Sequence, residues 1–200
     1  MIACFGCQQQ ATAENNPEQV LAQVEPKPVP KTEVAITNVA YKPNESLWKY
    51  NDQPYSGYVI ERHEDGSSNA RFGVLNGKKQ DTAYRWYADG HLQEVAYYHE
   101  NKLHGIKKNW ASDSIHNLVS QLNYHLGKLN GEQRKWYGTG ELYKLLNMSM
   151  GKEEGMQQAF RPNGDLYVNY EARNGRTFGL KRSSLCYELE DEAVQYPDRN

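Results

Sequence analysis

The chain has 200 residues and a mass of 23.0 kDa, enough for one domain with its own core and a tail. With 38% hydrophobic residues and a mean hydropathy of -0.90 it has no membrane-spanning surplus, and a net charge of -2 excludes the basic surface of a nucleic-acid-binding domain. Its 16 glycines are close to an ordinary share, so their placement carries the information.

Residues 1–32 are expected to form a disordered tether. Gln8-Gln9-Gln10, the polar stretch to Val24, and Pro26, Pro28 and Pro30 show no apolar periodicity, and alternate prolines favour an extended spacer. The start, Met1-Ile2-Ala3-Cys4-Phe5-Gly6-Cys7, resembles the end of a bacterial lipoprotein signal peptide, with a small residue before each cysteine. That resemblance makes Cys7 and Cys4 lipidation candidates and implies a lipid anchor at the bacterial cell envelope. The alternative is a short apolar start on a cytoplasmic protein. Residues 33–56 read as a capping half-repeat, with Leu47-Trp48-Lys49-Tyr50 and Pro54-Tyr55-Ser56 as its strand-like pieces.

From Gly57 a period of 24 residues sets in, through Asp81 and Gly105, then after a step of 26 Gly131, Gly155 and Gly179. Five positions after each start stand Arg62, Trp86, Trp110, Trp136 and Phe160. Nine after stand Gly66, Gly90, Gly140 and Gly164, and eleven after stand Ser68, Leu92, Leu142 and Leu166. Four before the next start come Gly77, Asn101, Gly127, Gly151 and Gly175, each followed by Lys78, Lys102, Lys128, Lys152 or Arg176. Every glycine except Gly6, Gly73 and Gly138 falls on a repeat position. The third unit carries two extra residues between Trp110 and Leu118 and lacks its turn glycine, as an insertion confined to a surface loop would.

Between glycines the pattern has period two, as in Leu142, Lys144 and Leu146 against Tyr143, Leu145 and Asn147. Asp89-Gly90, Thr139-Gly140 and Asn163-Gly164 are hairpin turn signals, because glycine takes a positive φ without strain. Gly127-Lys128-Leu129-Asn130-Gly131 typifies the connection to the next unit. Residues 57–179 are therefore expected to be an all-β antiparallel meander of five hairpins, an extended single sheet or solenoid, with Trp86, Trp110, Trp136 and Phe160 as core aromatics.

The unit resembles MORN repeats of the bacterial variant. Trp86-Tyr87-Ala88-Asp89-Gly90-His91-Leu92 with Lys102-Leu103-His104-Gly105 carries the likeness, as does Trp136-Tyr137-Gly138-Thr139-Gly140-Glu141-Leu142 with Gly151-Lys152-Glu153-Glu154-Gly155. Arg62 and Ser68 in the first unit depart from it. Proteins with this repeat are commonly labelled toxin–antitoxin antitoxins, so the resemblance implies a soluble antitoxin or immunity role as the alternative to a scaffold.

Residues 180–200 are expected to give a closing strand at Leu185–Leu189 and an acidic tail. No enzyme is expected. The histidines form no H-E-x-x-H or H-x3-H and have no cysteine pair beside them, so no metal is expected, and His91 and His104 should be solvated in turns. Cys186 reads as a small apolar strand residue. The Gly-Lys pairs lack the G-x4-G-K-[ST] of a phosphate loop, and no cofactor or small-molecule substrate is indicated. The lysine row reads as protection of a sheet edge, with anionic headgroups as the weaker alternative. Tyr87, Tyr97, Tyr98, Tyr124, Tyr137 and Tyr143 exceed what a one-layer core hides and are the candidate surface for a protein partner.

Overall fold

The computed structural model describes residues 27–180, and in that span the chain is nearly all β. A short strand β1 (Glu33–Ala35) and a 3-10 turn (Ile36–Asn38) lead to β2 (Val39–Lys42), β3 (Leu47–Tyr50) and β4 (Gln53–Pro54), which form a small antiparallel sheet. The repeat region follows as β5 (Gly57–Arg62), β6 (Ser68–Leu75), β7 (Lys78–Trp86), β8 (Leu92–His99), β9 (Lys102–Trp110) and β10 (Leu118–His125). It continues as β11 (Lys128–Leu129), β12 (Gly131–Trp136), β13 (Leu142–Ser149), β14 (Lys152–Phe160), β15 (Leu166–Arg173) and β16 (Arg176–Leu180). These strands pair in sequence order as a meander of hairpins that does not close into a barrel. The one parallel pairing among the described residues is β1 on β5, with Val34 opposite Val59.

Two kinds of turn alternate along the meander. Leu75 with Lys78, His99 with Lys102, His125 with Lys128, Ser149 with Lys152 and Arg173 with Arg176 enclose two-residue turns. Both central residues of each have positive φ, as at Leu126 (46°) and Gly127 (86°), which is the type I′ geometry that matches strand twist. At the other end the Asp-Gly and Asn-Gly signals form three-residue loops. There Tyr87 N–H donates to His91 O (2.9 Å) and Gly90 N–H to Tyr87 O (2.9 Å), and only the glycine has positive φ. The two-residue connection is thus Leu126-Gly127, not the whole stretch to Gly131 expected from the sequence. The repeat-start residue lies inside a strand instead. Between β8 and β9 the register jumps from Ala96 opposite Lys107 to Tyr98 opposite Leu103. His104, Gly105 and Ile106 therefore face Tyr97 alone, and the bulge needs the positive φ that Gly105 (86°) supplies and that Asp81 (71°) adopts in its place.

Units are tied to the next at the type I′ turn ends of their strands, and the first, second and fourth also at the opposite ends. Beside the type I′ turns, the side chain just before each start residue accepts the N–H of the next turn's first residue. Ser56 accepts from Asn76 (2.8 Å), Gln80 from Glu100 (3.1 Å), His104 from Leu126 (3.5 Å), Asn130 from Met150 (3.1 Å) and Glu154 from Asn174 (3.2 Å). At the opposite ends, Tyr87 Oη donates to Trp110 O and Tyr137 Oη to Phe160 O, both at 2.9 Å, and His63 Nε2 lies 3.2 Å from Trp86 O.

The apolar core is Val59, Phe72 and Val74, packed by Val34, Ile36, Val39, Trp48, Tyr55 and Ala83. The small sheet of residues 39–54 thus covers one face of the first hairpins, with Trp48 and Phe72 rings 5.0 Å apart. The aromatic ladder is not this core. Trp86, Trp110, Trp136 and Phe160 are half-buried, because a single sheet layer encloses neither face fully. Residues 29–32, expected to belong to the disordered tether, lie against the sheet instead. Val29 is buried and Thr32 O accepts Tyr58 N–H (2.7 Å), since a proline-spaced extended chain can lie along a sheet like a strand. Cys4, Cys7, Cys186 and the expected strand Leu185–Leu189 lie outside the described residues.

Candidate binding surface

The faces follow from register, because residues directly opposite in a ladder share a face and alternate residues along a strand repeat it. Tyr84, Val95, Lys108, Gln121, Arg134, Leu145 and Gln158 are opposite one another in turn. Two residues further along their strands stand Trp86, Trp110, Trp136 and Phe160, so the ladder occupies one face with Tyr84, Tyr97 and Tyr143. The rings of Tyr84 and Trp86 stack at 5.6 Å. Tyr98 and Tyr124 face the other way, on the side of Phe72 and Ala96.

The six candidate tyrosines therefore do not form one surface. Tyr97 and Tyr143 belong to the ladder face. Tyr98 and Tyr124 belong to the face the small sheet partly covers, where Lys79 Nζ sits 5.2 Å from the Tyr98 ring centre and burial raises the Tyr98 pKa. Tyr87 and Tyr137 sit at the loop ends with their hydroxyls committed to neighbouring carbonyls, and all six are half-buried. Tyr170, on the covered side of β15, is pushed up to about 12 by burial and by its hydrogen bond to Glu153 (2.8 Å).

Lys78, Lys102, Lys128 and Lys152 are exposed and stand in a row, each as the first residue of a strand after a type I′ turn. They are not edge protection. Hairpin ends present no unpaired ladder groups, and the outermost strands of the long sheet are β1 and β16.

The histidines form two groups that the sequence spacing did not reveal. His104 is buried, contrary to the solvated turn position expected, because its ring points inward to accept Leu126 N–H. Its ring centre lies 5.9 Å from that of His99 and 5.2 Å from that of His125. Burial lowers its pKa, and the neighbouring His125 and His99 lower it further. At the loop end, Asp89 lies 3.3 Å from His91 Nδ1 and 3.1 Å from His116 Nε2. The Asp89 carboxyl is held below its ordinary pKa, first by the backbone N–H of His91 and then by the His116 and His91 side chains. The expectation of no metal rested on local spacing, and Asp89, His91 and His116 offer three donor atoms within 4.8 Å of one another.

Two structural positions also went unread. The residues before each start, Ser56, Gln80, His104, Asn130 and Glu154, differ in type, and their common signal is a side-chain acceptor. Gln133 and Gln157, two after their starts, are almost wholly buried. No family profile, curated protein or solved structure matches this chain.

Proposed function

We propose that the chain is a non-enzymatic scaffold of MORN-like hairpin repeats, anchored through Cys4 or Cys7 at a bacterial envelope surface, that binds a partner protein on its ladder face. One observation carries this reading: Tyr84, Trp86, Tyr97, Trp110, Trp136, Tyr143 and Phe160 spread half-buried aromatic surface along one face of a sheet stitched at both ends. Rigid aromatics on a preorganised face give contact area at low entropic cost, which is what partner hot spots use. The small sheet lies over the opposite face, so it leaves this one for a partner.

The test is capture of partners from an envelope extract with the lipid-bearing full chain, comparing wild type with Tyr84→Ser, Tyr97→Ser and Tyr143→Ser combined. Loss of a specific partner in the folded triple variant supports the ladder face. The same recovery with both proteins refutes it. Rescue of growth by the unlipidated chain against an adjacently encoded toxin would favour the antitoxin reading instead.

A further inference from the structure

We infer that Asp89, His91 and His116 form a binding site for a divalent transition-metal ion, with Zn2+ the best fit. The site comes from the one turn that departs from the repeat. In the third unit the two extra residues and the lost glycine turn the 111–117 segment back toward the preceding loop, setting His116 beside Asp89 and His91. The segment is fixed there by its own bonds. Asp113 Oδ1 accepts the N–H groups of Ile115 (3.1 Å) and His116 (3.0 Å), and Ala111 N–H donates to Asn117 O (2.9 Å). Asn117 Nδ2 in turn donates to Gly138 O (2.8 Å) in the following loop. His116 takes at φ 53° the left-handed position that glycine fills in the regular loops, which fixes the direction of its side chain.

The donor spacing suits a metal. Four ligands at about 2.0–2.1 Å around a tetrahedral ion stand about 3.3 Å from one another. The carboxylate of Asp89 is 3.3 Å from His91 Nδ1 and 3.1 Å from His116 Nε2. The two imidazole rings rest stacked with centres 3.6 Å apart, closer than two ligands of one tetrahedral ion can stand, so the exposed His91 ring swings outward on binding while the His116 side chain, only 14% exposed, keeps its place. Two imidazoles and one carboxylate select a borderline ion such as Zn2+ over Mg2+ or Ca2+, which prefer all-oxygen sets. Three protein donors leave a position for water.

The site also has a place in the architecture. His63, Tyr87 and Tyr137 each reach the next unit's backbone at the loop ends, whereas the third unit has Ala111 at that position. The third unit reaches the fourth through Asn117 Nδ2 instead, and a metal across Asp89, His91 and His116 would clip its irregular loop to the second beside the Tyr87 Oη bond to Trp110 O.

The experiment uses the full chain with its three cysteines alkylated, so that thiols do not compete. Zn2+ is titrated by calorimetry, Co2+ uptake is followed by its visible absorption, and circular dichroism confirms that each variant is folded. Wild type should take up one ion per chain with an absorption of tetrahedral intensity. His91→Ala, His116→Ala and Asp89→Asn should each weaken binding by about tenfold or more, while His99→Ala with His125→Ala should bind as wild type. No saturable uptake by folded wild type overturns the assignment. So does uptake that survives His91→Ala with His116→Ala, or uptake that disappears with the His99 and His125 substitutions.

Discussion

The same repeat position, two residues after each start, is filled by Val59 at the beginning of the array and by Gln133 and Gln157 near its end. All three are essentially inaccessible, at 0%, 1% and 0% exposure. The two solutions are different in kind. Val59 is apolar and is buried only because residues 29–56 supply a second layer, with Trp48, Val34 and Ile36 packed about the cluster. Gln133 needs no such layer. Its amide sits in the bulge and donates to Asn123 O (3.1 Å) and Gly131 O (3.0 Å), while its oxygen accepts Asn123 N–H (2.8 Å). Gln157 repeats the donor half with Asn147 O (2.7 Å) and Gly155 O (3.2 Å), but its oxygen is buried without a partner. A single-layer sheet can therefore be made solid either by a lid over hydrocarbon or by side chains that satisfy the backbone the bulges disrupt.

This contrast can be broken from the apolar end first. Phe72→Ala empties the largest side chain of the lidded cluster, and chemical denaturation should show a loss of about 3–5 kcal/mol with the small sheet released together with the first hairpin. At the amide end, Gln133→Leu keeps the volume and strands Asn123 N–H, so a loss of about 1–3 kcal/mol is expected. Native-state amide exchange at Asn123 reads it directly. Gln157→Leu should cost less, because the oxygen it removes is already unbonded; equal losses would show that the Asn123 N–H bond to Gln133 adds nothing.

The smallest effect concerns the middle of the array, where His104 does by ring nitrogen what Asn130 does by amide oxygen. Its folded pKa lies below the ordinary 6.5, so the unfolded chain binds the proton more readily in the interval between the two values. Stability is then fully present above about pH 6.5 and falls as the pH drops through that interval toward the folded value. A thermal melt series from pH 7.5 to 5 should show the decline, and His104→Asn should flatten it. An unchanged slope in that variant would assign the decline to other groups.

The hairpins, their order and their turn glycines were legible because glycine at a fixed interval is a backbone requirement, and such requirements appear directly as residue identity. Gly73 and Gly138, the described glycines that fall off the period, are also the ones without a positive φ. What could not be read was whatever depends on function shared by unlike residues. Ser56, Gln80, His104, Asn130 and Glu154 make one contact with five chemistries. Likewise, the excess of tyrosine was visible, but its division among two faces and the loop ends depends on register, which shifts at every bulge. Asp89, His91 and His116 meet only because an irregular loop folds back across the interval of one repeat, and spacing along the chain carries no trace of that.

The stitches between units reach forward by one repeat and no further: Gln80 to Glu100, Asn130 to Met150, Tyr87 to Trp110, Tyr137 to Phe160. Each regular unit hence offers the same acceptors on one side and the same donors on the other, whatever lies beyond its neighbours. Duplication or loss of a whole regular unit would leave every stitch made. The length of such an array can vary by its regular units, but the second and third, which bring Asp89 and His91 against His116, cannot be separated or deleted without changing what the molecule can hold.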